Sequence, residues 1–492
     1  MRGYWLDEAL VREGGDAPPL TEHVRADVCI VGAGYTGLWT AIHLKEREPS
    51  LDVVVVERDI AGGGASGRNG GFVLSWWAKF SSLKKVCGAE EALRLARASA
   101  DAVGEIGRFC STHGIDAHFR PDGWLWTATS PAQIGAWDAA LADAERLGAR
   151  PFVRLSGEEV AARSGSPRHL AGVFEATAAT VQPALLARGL RRVALDLGVR
   201  IFEHTPMTRL ERANPPRVHT PRGSVSAERV VLALNAWAAA LPELRRYLVV
   251  IASDMIATGQ IAPRLSDIGW TGGLAISDSR LLVNYYRTTL DGRIAFGKGG
   301  GTLGFGGRAG ARFDGASPRC AELERSLHGL YPTLGEARAI SSWTGPIDRT
   351  MTGIPAFGRL GGRPDIFFGV GYSGNGVGPA LLGGRILASL ALGIEDEWAR
   401  CGVVRALAGR FPPEPIRFLG GLVVRVAVAR KERAEDAGRR PGAVVAALAG
   451  LAPAGLVPIK EEGRAARETA GGSAGEHGAQ APSKAGDERA AS

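Results

Sequence analysis

Short apolar runs and amphipathic segments alternate along most of the chain. The runs ADVCIV (residues 26–31) and DVVVVE (residues 52–57) contain almost no polar alternation, which is typical of strands buried on both faces of a parallel sheet. Between them, YTGLWTAIHLKER (residues 35–47) repeats apolar residues at intervals of three and four, as an amphipathic helix does. This order predicts a βαβ unit.

The same alternation returns later in the chain. A helix is predicted at 182–198, because Pro183 lies in its first turn and glycine follows its end. Further buried strands are predicted at 199–205, 227–238 and 364–371.

A different pattern interrupts these α/β segments twice. Residues 280–289 and 293–301 are predicted to be antiparallel strands joined by a turn, and residues 83–155 are mostly helical in pattern. We therefore predict a discontinuous α/β nucleotide-binding domain with an inserted second domain of mixed type. The expected bounds are 24–82, 156–240 and 339–398 for the first domain, 83–155 and 241–338 for the second, 399–459 for a C-terminal helical extension and 460–492 for a disordered tail.

Composition narrows the class of protein. The 492 residues are 45% hydrophobic and 22% charged, with a net charge of +8, which is globular composition long enough for two domains. The charges are scattered rather than clustered, so a nucleic-acid partner is not expected. The tail from Lys460 lacks aromatic residues and almost all large aliphatic ones, which predicts disorder.

The cysteines and the N-terminal segment indicate the cellular compartment in which the protein is expected. The cysteines form no CxxC pair or metal spacing, so we expect a reducing compartment and no metal site. The first twenty residues contain no apolar signal core, which favours a cytoplasmic location. The uncharged stretch 441–459 is broken by Pro453 and Pro458, so we expect a short packed helix and no integral membrane span.

A glycine-rich turn connects the first predicted strand and helix. Gly32, Gly34 and Gly37 form G-x-G-x-x-G around Tyr35 and Thr36, where the glycines allow a tight turn, backbone approach to a pyrophosphate and close helix–strand packing. Twenty residues after the last glycine, Glu57 ends the second strand, where a carboxylate accepts hydrogen bonds from an adenosine ribose. These features predict dinucleotide binding, but they do not distinguish FAD from NAD.

A second glycine-rich loop, ERDIAGGGASGRNGGFV (residues 57–73), follows the ribose acid directly. It is either a flexible surface loop or a path along which a longer dinucleotide such as FAD continues towards the second domain. The density of small and polar residues beside the ribose site favours FAD. The candidate contacts in this loop are Arg58, Ala65, Ser66, Arg68, Asn69, Gly70 and Gly71.

A third glycine-rich turn, GVGYSGNGVGPALLGG (residues 369–384), again stands between an apolar run and a helix-forming segment. This is the local pattern of an anion-binding turn. Its candidate cofactor contacts are Gly371, Tyr372, Ser373, Gly374, Asn375, Gly376 and Val377.

Together, DVCIVGAGYTGLWTA, VVVVERD, GGGASGRNGG and GYSGNGVG resemble the D-amino-acid oxidase clan of FAD-dependent oxidoreductases. The nearest resemblance is to its γ-glutamylputrescine oxidase-like branch, which includes proposed aminophosphonate oxidoreductases. The resemblance implies a Rossmann-like FAD domain of the glutathione-reductase type, an inserted antiparallel-sheet substrate domain, and oxidation of an amine to an imine that hydrolyses to an aldehyde or keto product. It also implies that the third turn lies under the flavin ring, where a helix N-terminus stabilises negative charge.

Several single positions can be compared with the family. The resemblance places Met207 beside the adenine, whereas Asn235 and Thr352 stand where the family has glycine and aspartate. Relatives that bind FAD covalently use a cysteine near the position of Ser342 or a histidine near that of Arg68, so we expect non-covalent FAD.

The sequence offers fewer indications of which residues bind the substrate. Relatives that oxidise sarcosine grip its carboxylate with a lysine where this chain has Gly378. Tyr285 and Arg287 share one face of a predicted strand and could bind an acidic group, or they could be an aromatic core face with an exposed arginine. Trp343 is either an aromatic wall of the site or part of the core.

The resemblance implies oxidation of a small amine, with or without an acidic group, in which a hydride equivalent passes to the flavin and O2 reoxidises it to give H2O2. No compulsory general base is expected, since the cofactor carries the chemistry. A dehydrogenase with another electron acceptor, an aminophosphonate oxidoreductase and a flavin-binding redox sensor or subunit remain open alternatives. Lys298 is the candidate for assisting the reaction of reduced flavin with oxygen.

Overall fold

The computed structural model describes residues 2–335 and 337–453. The predicted disordered tail, 460–492, lies outside these residues. The helices are α1 (Tyr4–Arg12), α2 (Tyr35–Arg47), α3 (Phe80–Cys87), α4 (Ala89–Thr112), α5 (Asp138–Glu145), α6 (Gly157–Ser164), α7 (Pro183–Asp196), α8 (Ala262–Asp267), α9 (Cys320–Leu330), α10 (Pro379–Leu392), α11 (Ile416–Asp436) and α12 (Ala443–Ala449).

The strands of the described chain form two large sheets and one small one. The strands are β1 (His23–Val31), β2 (Val53–Val56), β3 (Phe72–Val73), β4 (Trp124–Ala128), β5 (Val153–Leu155), β6 (Ala171–Glu175), β7 (Ala179–Thr180), β8 (Arg200–Phe202), β9 (Arg209–Glu211), β10 (Arg217–His219), β11 (Ser224–Leu232), β12 (Val249–Thr258), β13 (Ala275–Asp278), β14 (Asn284–Thr288), β15 (Ile294–Lys298), β16 (Ala339–Arg349), β17 (Ala356–Arg359) and β18 (Ile366–Val370).

The first sheet is the predicted α/β layer. Its order is β17-β18-β11-β1-β2-β8, and β1, β2, β8, β11 and β18 run parallel. Alternate residues of β1 enter opposite cores: Val28 and Ile30 pack in one, and Cys29 and Val31 pack in the other. Because both faces are covered, these strands show no polar alternation in the sequence. The βαβ unit is therefore confirmed.

The second sheet has the order β16-β12-β15-β14-β13-β4-β6-β5. All its pairs are antiparallel except that of β13 and β4. The predicted hairpin is present, with Tyr286 opposite Phe296 in the β14–β15 pair. A mixed α/β chain with a parallel nucleotide-type sheet and a mainly antiparallel second sheet matches the predicted fold class, while the exact domain bounds remain a prediction.

Two segments at the ends of the chain dock on this framework. Helix α1 was not predicted; it buries Trp5 and Leu6 in a cluster that contains Trp343 of β16. At the other end, α12 buries Ala449 against Ala427 of α11, so the apolar segment forms a short packed helix within its described part. Among the helices of residues 2–335 and 337–453, none is long and apolar enough to cross a membrane.

Candidate functional site

A cavity lies where the three glycine-rich segments of the first sheet meet the second sheet. The first sheet's side of the lining comes from the loop after β1, the loop before β3 and the loop before α10. The second sheet contributes the end of β16 and a wall made of Trp124, Ser253, Ser277, Val283 and Tyr285. The cavity therefore opens between a nucleotide-type turn and a wall of aromatic and hydroxyl side chains.

The first turn requires its glycines for steric reasons. Gly32 has a φ of 109°, and a Cβ there would lie 2.5 Å from the carbonyl oxygen of Ala233. A Cβ at Gly37 would lie 1.9 Å from the carbonyl oxygen of Gly32, so α2 could not pack against the strand. Gly34 caps α2. The Tyr35 amide donates to Ser66 Oγ at 3.0 Å, and the next amides of the first turn, which have no acceptor within the helix, can bind an anion.

Glu57 is held at the edge of the turn. Its Oε2 accepts a hydrogen bond from the Ala33 amide at 2.8 Å, and its Oε1 accepts one from the Asp59 amide at 3.0 Å. Burial raises the pKa of Glu57. Because a carboxylate offers about four acceptor sites, it retains capacity for ribose hydroxyls. Arg58 instead lies over the Trp237 ring at 4.3 Å, and Met207 packs against the core beneath; neither lines the cavity.

The second loop is internally fixed. Asn69 Nδ2 donates to the carbonyl oxygens of Ala65 and Ser66 at 3.1 and 2.8 Å, while its Oδ1 accepts from the Gly71 amide at 2.7 Å. A Cβ at Gly71 would lie 2.0 Å from the Val181 carbonyl oxygen. The alternative of a flexible surface loop does not fit this network.

Arg68 ties the same loop to the neighbouring segments. Its guanidinium donates to the Phe313 carbonyl oxygen at 3.1 Å and pairs with Asp314 at 2.8 Å. Ser66, Arg68, Asn69 and Gly70 of this loop all line the cavity. The loop thus presents a buried cation and a backbone edge to the space beside the first turn.

The third turn uses a left-handed backbone. Gly371, Ser373 and Gly374 have φ values of 87°, 53° and 87°. Asp348 Oδ2 accepts from the Gly371 amide at 2.5 Å, and burial raises the pKa of Asp348 to about 6. Helix α10 begins at Pro379, two residues after Val377.

Lys79 holds the third turn through hydrogen bonds to backbone carbonyl oxygens. The sequence analysis did not identify this residue. Its Nζ donates to the carbonyl oxygen of Gly353 at 2.7 Å and to that of Tyr372 at 3.3 Å. Burial lowers its pKa to about 7. No motif surrounds Lys79 in the sequence, so only the packing of α3 against the turn reveals it.

The residues present fit a bound dinucleotide. Two cavity-lining side chains, Arg68 and Asn375, each carry a buried polar atom (Nε and Oδ1) without a hydrogen-bond partner in the structure. One is a donor and the other an acceptor, and FAD carries both complementary kinds of group. Burial of unsatisfied polar atoms is costly, which supports occupancy of this space by a polar group.

The same lining bears on how the cofactor is held. Of the described residues that line the cavity, none is a cysteine or a histidine. Ser342 is not among them, whereas Gly345 of the same strand is. The side chains found here therefore support a non-covalent cofactor, which stays a prediction.

Of the three candidate substrate-site residues, Tyr285, Arg287 and Trp343, only Tyr285 lines the main cavity. Tyr285 lines the cavity, and its hydroxyl hydrogen-bonds Ser253 Oγ at 2.7 Å. Trp343 is buried, and its Nε1 donates to the Arg68 carbonyl oxygen at 2.8 Å. It lies outside the lining and packs against Trp5 of α1.

Arg287 lies on the same strand face as Tyr285 but lines a different cavity, beneath α1. Its guanidinium donates to the carbonyl oxygens of Gly70 (2.9 Å) and Val181, and its carbon lies 5.0 Å from the Trp5 ring. Burial lowers its pKa to about 9. The structure thus gives Arg287 a role in holding the second loop, and brings only Tyr285 to the main cavity.

Three departures from the family pattern have local explanations. A Cβ at Gly378 would lie 2.7 Å from the carbonyl oxygen of Leu74, so the backbone there leaves no room for a lysine. Asn235 has a φ of 46°, a conformation that glycine adopts freely and asparagine tolerates; its Oδ1 accepts from the Asp348 amide at 3.3 Å. Thr352 bonds within its own turn, to Ile354.

Comparison with characterised proteins agrees with this arrangement. Gamma-glutamylputrescine oxidoreductase of Escherichia coli (strain K12) is 30% identical over 379 residues, covering 76% of this chain and 85% of that protein. A probable oxidoreductase, OrdL, of Haemophilus influenzae is 28% identical over 407 residues, covering 81% and 89%. Glycine oxidase from Geobacillus kaustophilus superposes with a TM-score of 0.64 at 21% identity, over 78% of this chain and all of that one, which establishes the fold.

The family model described as FAD dependent oxidoreductase (DAO) matches residues 27–390. This range contains all three glycine-rich segments, Glu57 and the cavity wall, so the match covers the site as well as the sheets. The chain belongs to the DAO family of FAD-dependent oxidoreductases.

Proposed function

We propose that this enzyme oxidises the C–N bond of a small primary or secondary amine in the cavity between the two sheets. The observation that carries the proposal is the composition of the cavity: nucleotide-type glycine turns form one side, and Trp124, Tyr285 and two serines form the other. An amine is a hydrogen-bond donor with an apolar chain, and such a wall offers both acceptors and apolar surface. FAD, when bound, supplies the acceptor for a hydride equivalent.

The residues that would hold FAD are those of the three turns. The α2 N-terminus and Gly34 would meet the pyrophosphate, Glu57 the ribose, and Arg68 and Asn375 the groups that satisfy their unpartnered atoms. The protein's own task is then to orient the amine against the cofactor and to exclude water.

The wall also bears on the substrate class. The wall residues Trp124, Ser253, Ser277, Val283 and Tyr285 are uncharged, and the basic candidate Arg287 is engaged with backbone carbonyls elsewhere. This supports an amine whose far end is recognised by hydroxyl groups. The E. coli relative's name makes a γ-glutamylated polyamine the first substrate to test, with an aminoalkylphosphonate as the second.

The electron acceptor stays a separate question. Lys298 donates to Asn284 Oδ1 at 2.9 Å and does not line the cavity, so it gives no support to oxygen activation. We propose O2 as the acceptor and the cytoplasm as the compartment; the five cysteines, all free in the structure, support the latter.

The decisive experiment is anaerobic mixing of the yellow enzyme with γ-glutamylputrescine, putrescine, glycine, sarcosine and 2-aminoethylphosphonate. Loss of the flavin absorbance with one or more of these supports amine oxidation and identifies the class. No loss with any of them overturns the proposal in favour of a flavin-binding protein without turnover. Readmission of air then tests the acceptor: slow recovery in air with fast recovery by a quinone rules out the oxidase.

A further inference from the structure

A buried carboxyl group stands directly behind the cavity wall. Glu175 is the last residue of β6 and lies opposite Trp124 of β4 in an antiparallel pair, so both side chains leave the sheet on the same face. Trp124 lines the cavity, whereas Glu175 is not part of its lining and is 1% exposed.

Ser75 connects this carboxyl group to the cavity. Ser75 lines the cavity, and its hydroxyl, which accepts a hydrogen bond from the Trp77 amide at 3.1 Å, donates to Glu175 Oε1 at 2.5 Å. Thr177 donates to the same oxygen at 2.8 Å. The other oxygen, Oε2, is buried without a hydrogen-bond partner in the structure. A buried acid that is only half satisfied is unusual for a purely structural group.

No charged neighbour explains the position of Glu175. Within residues 2–335 and 337–453, no lysine, arginine or histidine forms an ion pair with it. The cations on the segments next to it are engaged elsewhere: Arg120, before β4, lies 3.5 Å from Asp122, and Lys79, before α3, donates to the Gly353 carbonyl oxygen. The groups that face the carboxyl are the hydroxyls of Ser75 and Thr177.

The chemistry proposed above needs the amine in its neutral form. An aliphatic amine arrives mainly as an ammonium ion at neutral pH, and an ammonium nitrogen has no lone pair to assist loss of the α-hydrogen. We propose that Glu175 takes the ammonium proton through the Ser75 hydroxyl, so that the amine becomes neutral inside the cavity. This inference rests on the proposed function.

The proton transfer balances without any further reactant. The ammonium N–H bond breaks and its proton passes to Ser75 Oγ, while the Ser75 hydroxyl proton passes to Glu175 Oε1. The products are a neutral amine, an unchanged serine and a neutral carboxylic acid. Burial raises the pKa of Glu175 to about 7, which suits an acceptor that must hold a proton and release it near neutral pH. Since it acts through Ser75, Glu175 is a positioning residue rather than a catalytic one.

The test is the pH dependence of anaerobic flavin bleaching by the fastest amine of the panel, in the wild type and in Glu175→Gln. Glutamine keeps an acceptor for Ser75 but cannot take a proton. We expect the rate of the variant to fall by about 100-fold at pH 7, the lower end of the usual effect of a positioned base, and to recover as the pH approaches 10, where a substantial fraction of the amine is neutral in solution. A rate that falls equally at every pH, or that does not change, overturns the proposal.

Two further variants keep the test valid if Glu175→Gln folds poorly. Ser75→Ala removes the relay and keeps the acid, so it should show the same recovery at high pH. Thr177→Val removes one hydrogen bond to the carboxylate, which raises its pKa, so the acidic limb should move upward by up to about one unit. A Ser75→Ala variant that keeps the wild-type pH profile, or a Thr177→Val variant whose acidic limb does not move, contradicts the relay. Bleaching of the wild type by an amine upholds the proposed function whatever these variants do, so the two failures are distinguishable.

Discussion

Thr36 Oγ1 donates a hydrogen bond to Tyr372 Oη at 2.8 Å, across 336 residues of sequence. The bond joins the first turn of α2 to the third glycine-rich turn. The carbonyl oxygen of Tyr372 in turn accepts a hydrogen bond from Lys79 Nζ at 3.3 Å. The two turns therefore form one connected support on the same side of the cavity, although the sequence separates them by most of the chain.

Thr36→Val should weaken this support without changing its shape. The variant leaves the buried Tyr372 hydroxyl without its donor, and an unsatisfied buried group costs about 1–3 kcal/mol. We expect a lower thermal midpoint and faster loss of FAD on dilution, measured by flavin fluorescence. Tyr372→Phe should cost a similar amount, and the double variant should cost less than the sum of the two. Additive losses would show that the bond does not couple the turns.

Gly37→Ala should abolish FAD binding or folding. Its Cβ would lie 1.9 Å from the Gly32 carbonyl oxygen, a backbone atom that cannot move without opening the turn. The matched control is Gly420→Ala, in the interior of α11, where a Cβ meets nothing within 4 Å; alanine there should stabilise by up to about 1 kcal/mol through helix propensity. The ratio of flavin to protein absorbance measures the first effect. Full occupancy in Gly37→Ala would contradict the packing described here.

Gly378→Lys should not restore a carboxylate grip. The side chain would start 2.7 Å from the Leu74 carbonyl oxygen, so we expect reduced stability and no gain of activity on sarcosine. Gly376→Ala is the control within the same turn, because its Cβ would make ordinary contact with Tyr372 at 3.4 Å and should be tolerated. A lysine variant that folds normally and oxidises sarcosine would show that the backbone at this position adapts.

FAD should leave the protein when it is denatured. The described lining of the cavity contains no cysteine or histidine, so trichloroacetic acid should release the yellow colour into the supernatant. Ser342→Cys should behave in the same way, because Ser342 does not reach the cavity, whereas Gly345→Cys would place a thiol on its wall. Colour that remains in the wild-type pellet would contradict the non-covalent assignment.

The parts of the fold that follow from local pattern could be predicted from the sequence. The strand containing Val28 and Ile30, the helix after Gly34 and the acid at Glu57 obey spacing rules that act over a few residues. These rules do not predict which of two residues on one strand face lines a cavity. Tyr285 and Arg287 share a face as alternation requires, but Tyr285 lines the cavity while Arg287 donates to the Gly70 carbonyl oxygen outside it.

The remaining site residues depend on contacts that no spacing rule encodes. Ser75 and Glu175 meet across 100 residues, and Lys79 meets Tyr372 across 293. Each is an ordinary polar residue in its own segment, and it is burial in the fold that raises the pKa of Glu175 to about 7 and lowers that of Lys79 to about 7. The N-terminal helix was missed for the same reason, since Trp5 becomes a core residue only through Trp343.

Docking of the C-terminal helix α11 on the second sheet predicts a particular dependence of stability on pH. Glu432 of α11 accepts a hydrogen bond from the Leu282 amide at 2.9 Å, and burial raises its pKa from 4.5 to about 7. Between these two values the folded state holds a proton that the unfolded state releases, so this group's contribution to stability falls as pH rises.

Glu432→Gln should remove that dependence. Below about pH 4.5 the side chain is neutral in both states, so variant and wild type should have similar urea midpoints; above pH 7 the variant should be more stable by about 1–3 kcal/mol. Glu435→Gln is the control on the same helix, where the carboxylate pairs with Lys431 at 2.5 Å and loss of the pair should cost at most about 1 kcal/mol. Urea unfolding at several pH values measures both. A constant difference between Glu432→Gln and wild type would mean that Glu432 stays solvated and that α11 does not dock as described.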